Sequence, residues 1–333
     1  MRTVALLFGI SLIAPTWTDQ PSGVTARLRG ISAVSDRVAW ASGSGGTVVR
    51  TIDGGASWQK LIVPDAEKLD FRDIDAISET IAYVLSIGSG ESSRIYKTVD
   101  AGKTWTLQFT NSDPKAFFDA MAFWDAERGM AFSDSVDGKL VVLRTDNGGK
   151  IWSRVPPEGL PPALANEGAF AASGTNVAVY GRDRVWIGTS VSRVLRSTDG
   201  GRTWGAATTP LATGSSAGIF SIAFRDAQHG IIVGGDYRKE AEAIDNAAIT
   251  SDGGKTWTLV KGLSGFRSVV AHVPGSAATW VAVGPQGADH STDDGRTWKP
   301  LEGSSGLHTF SFAQRSRIGW GSGEKGRIMR LNY

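Results

Sequence analysis

The chain contains no cysteine, which removes disulfides, thiolate metal sites and cysteine nucleophiles at once while leaving the redox compartment open. It also lacks a dominant charge. With 35 Lys and Arg against 33 Asp and Glu the formal charge is +2, too little for general capture of nucleic acid or of an anionic membrane, so a partner has to read a local patch. The four histidines, His229, His272, His290 and His308, show no H-x-x-x-H or other paired spacing, so zinc has no ligand frame and no cofactor is implied. No P-loop, no G-x-G-x-x-G at a strand-to-helix junction and no serine nucleophile elbow is present; Gly43-Ser44-Gly45-Gly46 reads as a hairpin turn. No long stretch keeps a helical period.

The apolar run from Val4 to Ile13 is too short to cross a bilayer. Preceded by Arg2 and followed by Ala14-Pro15, it has the shape of a secretory leader, which predicts a signal over residues 1–14 with an open cut position, and export to the periplasm or beyond. The competing reading is a buried strand at the start of the domain.

Glycine and tryptophan are abundant, and they recur together. Six octets fit S/T-x-D/N-x-G-x-x-W: Thr51 to Trp58, Thr98 to Trp105, Thr145 to Trp152, Ser197 to Trp204, Thr250 to Trp257 and Ser291 to Trp298. Their third positions are Asp53, Asp100, Asn147, Asp199, Asp252 and Asp293. A short carboxylate or amide there can accept N–H groups of its own turn, and the glycine two residues on can take the positive φ that closes it. The tryptophan then starts the next strand with a large face to bury and an indole N–H to satisfy. Asp beside Gly also suggests a calcium loop, but such a loop needs further oxygen ligands at alternate positions that none of the six copies supplies. These residues are therefore read as structural clamps.

Successive clamps stand 47, 47, 52, 53 and 41 residues apart, the period of a four-stranded propeller blade. A stack of blades also fits the length, 333 residues being more than one hydrophobic core supports. The final unit, Leu307 to Asn332, holds three strands and then the chain ends, whereas Thr16-Trp17 near the N-terminus is a spare fourth strand without a clamp. Joining them predicts an all-β fold: a seven-bladed β-propeller of four-stranded antiparallel blades over residues 15–333, closed by the N-terminal strand in the last blade. Blade 4 is irregular, with two β-like runs, Asn176 to Gly181 and Arg184 to Gly188, where other units offer one, which leaves its strand count open between four and five. The long insertion Gly235 to Asp245 and the Pro156 to Pro162 loop are expected on the rim opposite the octets, which makes that rim the functional face.

Aligning the first strands on Ile31, Ile74, Met121, Phe170, Ile222, Val269 and Phe310 makes the residues two places earlier equivalent. They are Arg29, Arg72, Asp119, Gly168 beside Glu167, Phe220, Arg267 and His308, and they should ring the channel mouth. Three converging arginines would hold a carboxylate or phosphate. Alternatively they pair with Asp73, Asp119 and Glu167 as a polar channel filling. Tyr237 and Arg238 on the blade 5 insertion complete the candidate binding set, with no catalytic and no metal-binding residue assigned.

The octet resembles the Asp-box, or BNR repeat, of sialidases and other propellers. In that comparison Arg29, Arg72 and Arg267 stand for the arginine triad, and Tyr237 with Glu240 or Glu242 for the nucleophile pair, although the Arg-Ile-Pro signature is absent. Across nearly all of the chain, the second strands Val38-Ala39-Trp40-Ala41-Ser42-Gly43, Trp280 to Gly284 and Ile318 to Gly323, together with the octets, resemble the photosystem II stability and assembly factor propellers. That resemblance implies an exported, non-catalytic, monomeric scaffold binding a protein partner or an anionic ligand. The alternative is a glycan-active hydrolase or lectin with an arginine-lined mouth.

Overall fold

Seven four-stranded antiparallel sheets make up residues 14–333, the part of the chain described by a computed structural model. Of the leader expected over residues 1–14, all but Ala14 lies outside the described residues. The inner strands are Leu28–Ala33, Asp70–Ala76, Phe118–Phe123, Val177–Tyr180, Ala217–Phe224, Val269–His272 and Leu307–Phe312, and each touches the next around a closed ring. Thr16–Gln20 pairs antiparallel with Ile328–Asn332, placing Trp17 opposite Leu331, so the two ends share blade 7 as the sequence implies.

Second strands are covered by neighbouring blades on both faces, which is why they read as apolar runs without alternation. Trp40, Trp186, Trp280 and Trp320 on these strands are the largest fully buried side chains. Between inner strands the ring is stitched by side chains capping the next blade's backbone: Ser311 Oγ accepts Ala33 N–H at 3.2 Å, Ser32 Oγ accepts Ala76 N–H at 3.0 Å and Asp75 Oδ2 accepts Phe123 N–H at 2.9 Å.

In the first octet the Thr51 hydroxyl donates to Asp53 Oδ1 and accepts the Gly55 N–H, while Asp53 takes both the N–H and the hydroxyl of Ser57. The carboxylates of Asp53 and Asp100 are held down at about 2, chiefly by the Ser57 and Thr104 hydroxyls respectively. The third octet explains its own exception. Its seventh residue is Ile151, which has no hydroxyl to donate to a second carboxylate oxygen, so one amide oxygen suffices: Asn147 Oδ1 accepts both the Thr145 hydroxyl and the Ile151 N–H. The fifth-position glycine answers two demands at once. Gly102, Gly149 and Gly254 have positive φ, and a Cβ on each would press on Trp40, Tyr83 or Trp186 of the preceding blade. The octet is thus both a turn clamp and a wedge between blades.

Two expectations are corrected. Phe170 is not on the first strand of blade 4 but precedes the sheet in irregular backbone; the two β-like runs are the first and second strands, Val177–Tyr180 and Arg184–Gly188, and the blade has four strands. The Pro156 to Pro162 loop does not sit on the mouth rim. The outer strand of blade 3 is only Ser153–Arg154, so the loop takes its place along the outside: Gly159 O accepts the Trp204 N–H of the fourth octet, and only Pro162 O reaches up to Arg193.

Candidate functional site

Five inner strands carry a β-bulge, and in each the extra residue is one that the sequence alignment singles out. The register slips between Leu28 and Gly30, Phe71 and Asp73, Phe118 and Ala120, Ile219 and Ser221, and Leu307 and Thr309. The odd residues are Arg29, Arg72, Asp119, Phe220 and His308. A bulge re-aims one side chain away from the pleat, so a repeated defect at one level of the ring turns side chains off the sheets near the channel.

Four of them, all but Asp119, line a cleft of about 350 Å³ with two unlike walls. Arg27, Arg29, Arg72 and His308 form one side, and Phe170, Phe220, Tyr237 and Phe266 the other. Phe170 stacks on Phe220 at 4.0 Å, Tyr237 meets both edge-on at 6.2 and 6.1 Å, and Phe266 meets Phe220 at 4.7 Å. Arg72 Nε donates to Asp70 at 2.9 Å and Arg27 pairs with Glu324 at 2.9 Å. Arg29 has less: its Nη2 is 4.0 Å from Glu324, and its buried Nε–H has no acceptor among the described residues. Burial, followed by the charges of Arg72 and Arg27, pushes Arg29 down to about 10, so it stays cationic at neutral pH and favours an anion beside it. His308, pushed down to about 4 by burial and by Arg29, is neutral and donates from Nε2 to Glu324 at 2.8 Å. Glu240 is the one carboxylate lining the cleft, with Oε2 2.8 Å from Gln286 Nε2.

The floor of the cleft is the unexpected part. Residues 169–175 leave blade 4 before its first strand and cross the channel. Arg72 Nη1 donates to Ala171 O at 2.9 Å and Arg29 Nη1 to Ala172 O at 3.5 Å. Below them lies a separate cavity of about 570 Å³ opening on the octet side, lined by Asp73, Asp75 and Ser173 to Thr175, and it shares no lining residue with the cleft.

Not all the expected residues meet here. Arg267 is 1% exposed and turned into blade 6, where it pairs with Asp289 at 2.7 Å and donates to Phe266 O. Asp289, fully buried on the third strand Gly287–Ser291, needs a cation, and nothing in that short polar strand marks it as buried in the sequence. Arg267 therefore does not complete the triad expected from the sequence; the third arginine at the mouth is Arg27. Asp119 is also buried, beside Asp134 and the Ala169 N–H, and burial, then the Asp134 charge, holds its carboxyl well above the usual range. The alternative pairing with Asp73, Asp119 and Glu167 does not occur either, since Arg29, Arg72 and Arg267 use Glu324, Asp70 and Asp289. Arg238 lies 5.8 Å from the Tyr237 ring, outside the lining. Arg27, Glu324 and the crossing segment were missed, because their relation to the mouth depends on loop paths that no repeat encodes.

The Asp119 environment has a measurable consequence. A carboxyl whose folded pKa is raised favours folding below its unfolded value near 4, and that contribution is lost as pH rises through the folded value. Asp119→Asn is therefore expected to raise the thermal midpoint at pH 8 and to give no gain at pH 4. A loss at pH 8 would show that the carboxylate is stabilised by partners other than those seen.

No described protein family matches the sequence, and no curated protein matches it. Solved structures do. A structure of YCF48 bound to a D1 peptide superposes with TM-score 0.68 at 17% identity, covering 97% of this chain and 98% of that one. YCF48 from Cyanidioschyzon merolae gives 0.64 at 18% over 95% and 98%. A GH74 xyloglucanase from Xanthomonas campestris gives 0.63 at 15%, covering 94% of this chain and 53% of that one. At these identities the likeness shows the propeller fold. Among the described residues no helix is long and apolar enough to cross a membrane.

Proposed function

We propose that this chain is an exported, non-catalytic propeller that serves as a protein-interaction scaffold and holds a peptide segment of its partner at the mouth cleft. The observation that carries the reading is the pairing of an arginine corner with an aromatic wall above a closed floor. Such a cleft suits a carboxylate next to an apolar side chain, the former on Arg29 and Arg72, the latter against Phe220 and Tyr237. The peptide held by the similarly folded YCF48 supports a peptide partner, and the run from Val4 to Ile13 supports export. Glycoside hydrolysis finds less support: Tyr237 and Glu240 both line the cleft, but among the described residues Glu240 is its one carboxylate, so neither a carboxylate pair nor a separate acid beside a Tyr-Glu pair is provided.

The test is a peptide array followed by fluorescence polarisation on the best binders. Loss of two charge-assisted hydrogen bonds, about 1.5–3 kcal/mol each, predicts that Arg29→Glu with Arg72→Glu weakens binding by roughly 100-fold or more. Unchanged binding, or turnover of fluorogenic glycosides by the native protein, would overturn the reading.

A further inference from the structure

The segment that floors the cleft touches every other blade. Ala169 N–H reaches Asp134 Oδ1 of blade 3 at 3.3 Å; Ala172 and Ala171 carbonyls take Arg29 of blade 1 and Arg72 of blade 2. Ser173 Oγ donates to Ser268 O of blade 6 at 2.8 Å, and Ser173 O accepts Thr309 Oγ1 of blade 7 at 3.2 Å. Thr175 O accepts the Ile222 N–H of blade 5 at 2.9 Å. Its upper half lines the mouth cleft and its lower half the octet-side cavity.

We propose that residues 169–175 form a strap that couples anion binding at the mouth to closure of the central channel, a linkage that rests on the anion-binding reading given above. Two guanidinium groups share the strap's neutral carbonyls, one at the long distance of 3.5 Å, while the buried Nε–H of Arg29 is left without an acceptor. An anion bridging Arg29 and Arg72 adds an acceptor for guanidinium groups that the protein leaves short of one, screens their repulsion and lets both settle onto Ala171 and Ala172. Binding thus favours the closed strap, and by reciprocity a loosened strap weakens binding. Gly174 is the residue through which this can be tested at a distance from the cleft lining. It has φ +72, and a Cβ on it would collide with the Asp73 carboxylate.

The experiment is hydrogen exchange on the full chain, read at the Ile222 amide, with inorganic phosphate as the probe and chloride at matched ionic strength as the control. If only the closed strap binds, phosphate at ten times its Kd slows exchange at Ile222 about tenfold. Gly174→Ala is expected to speed exchange there without phosphate and to weaken phosphate binding by about fivefold or more. Arg29→Gln with Arg72→Gln should abolish the protection. Phosphate binding with unchanged exchange at Ile222, or a Gly174→Ala chain that loosens Ile222 yet keeps native affinity, overturns the coupling alone. Failure of the native protein to bind phosphate overturns both the coupling and the anion-binding half of the functional reading.

Discussion

Removing residues 1–20 is expected to yield a chain that aggregates where the full chain stays dispersed and that loses its single sharp unfolding transition. Thr16–Gln20 forms five register pairs with Ile328–Asn332, and without it the strand carrying the buried Met329 and Leu331 becomes an open edge. Trp17 also packs edge-on against Phe310 at 5.6 Å, at the side of the core shared with blade 6. The combined loss, a large aromatic plus a run of ladder hydrogen bonds, is on the order of 5 kcal/mol or more, comparable to the whole margin of a typical fold. Removing residues 1–14 alone would leave this strand in place, so comparing the two deletions separates loss of the N-terminal segment from loss of closure. Near-UV circular dichroism and light scattering on heating provide the readout, and a peptide of residues 14–22 added in trans should restore part of the transition. A truncated chain with the native midpoint and dispersity would mean that the ring is not held by its ends.

The architecture was legible because it repeats. The octet fixes one turn in six blades, and its spacing fixes the rest; the spare Trp17 strand then has one place to go. Blade 4 failed for a physical reason rather than for want of signal. Its runs Asn176 to Gly181 and Arg184 to Gly188 are good strands, but Phe170 is apolar because it stacks on Phe220, not because it lies in a sheet. Apolarity marks burial, and the burial partner was a second aromatic at the mouth.

The site was legible in part for the same reason. Equivalent positions on equivalent strands gave Arg29, Arg72, Phe220 and His308, which the bulges bring to one cleft. Arg267 and Asp119 occupy the same alignment column and do not join them. In blade 6 the regular inner strand starts at Val269, after Arg267, and the buried Asp289 draws the guanidinium inward. In blade 3 the neighbour is Asp134, so the pair is turned toward the Ala169 N–H instead of the mouth. A column of a repeat fixes where the Cα lies; local counter-charge decides where a long side chain goes.

Trp186→Ala is expected to cost about 3–5 kcal/mol, the loss for a large aromatic in a core that cannot collapse. Trp186 is 1% exposed, stacks on Phe224 at 3.6 Å and donates its indole N–H to Gly253 O in the next blade's octet at 2.8 Å. The sharper comparison uses phenylalanine. Trp40 occupies the equivalent place in blade 1, equally buried, but its indole N–H has no acceptor among the described residues. Trp40→Phe removes ring volume together with an unpaired buried donor, whereas Trp186→Phe removes volume together with a made hydrogen bond and leaves Gly253 O short of a partner. An unmet buried polar group costs about 1–3 kcal/mol, so Trp186→Phe should be the more destabilising by about that amount. Urea unfolding at unchanged m gives the difference directly. Equal losses would mean that the octet wedge works by shape alone, with the indole hydrogen bond contributing nothing to how one blade grips the next.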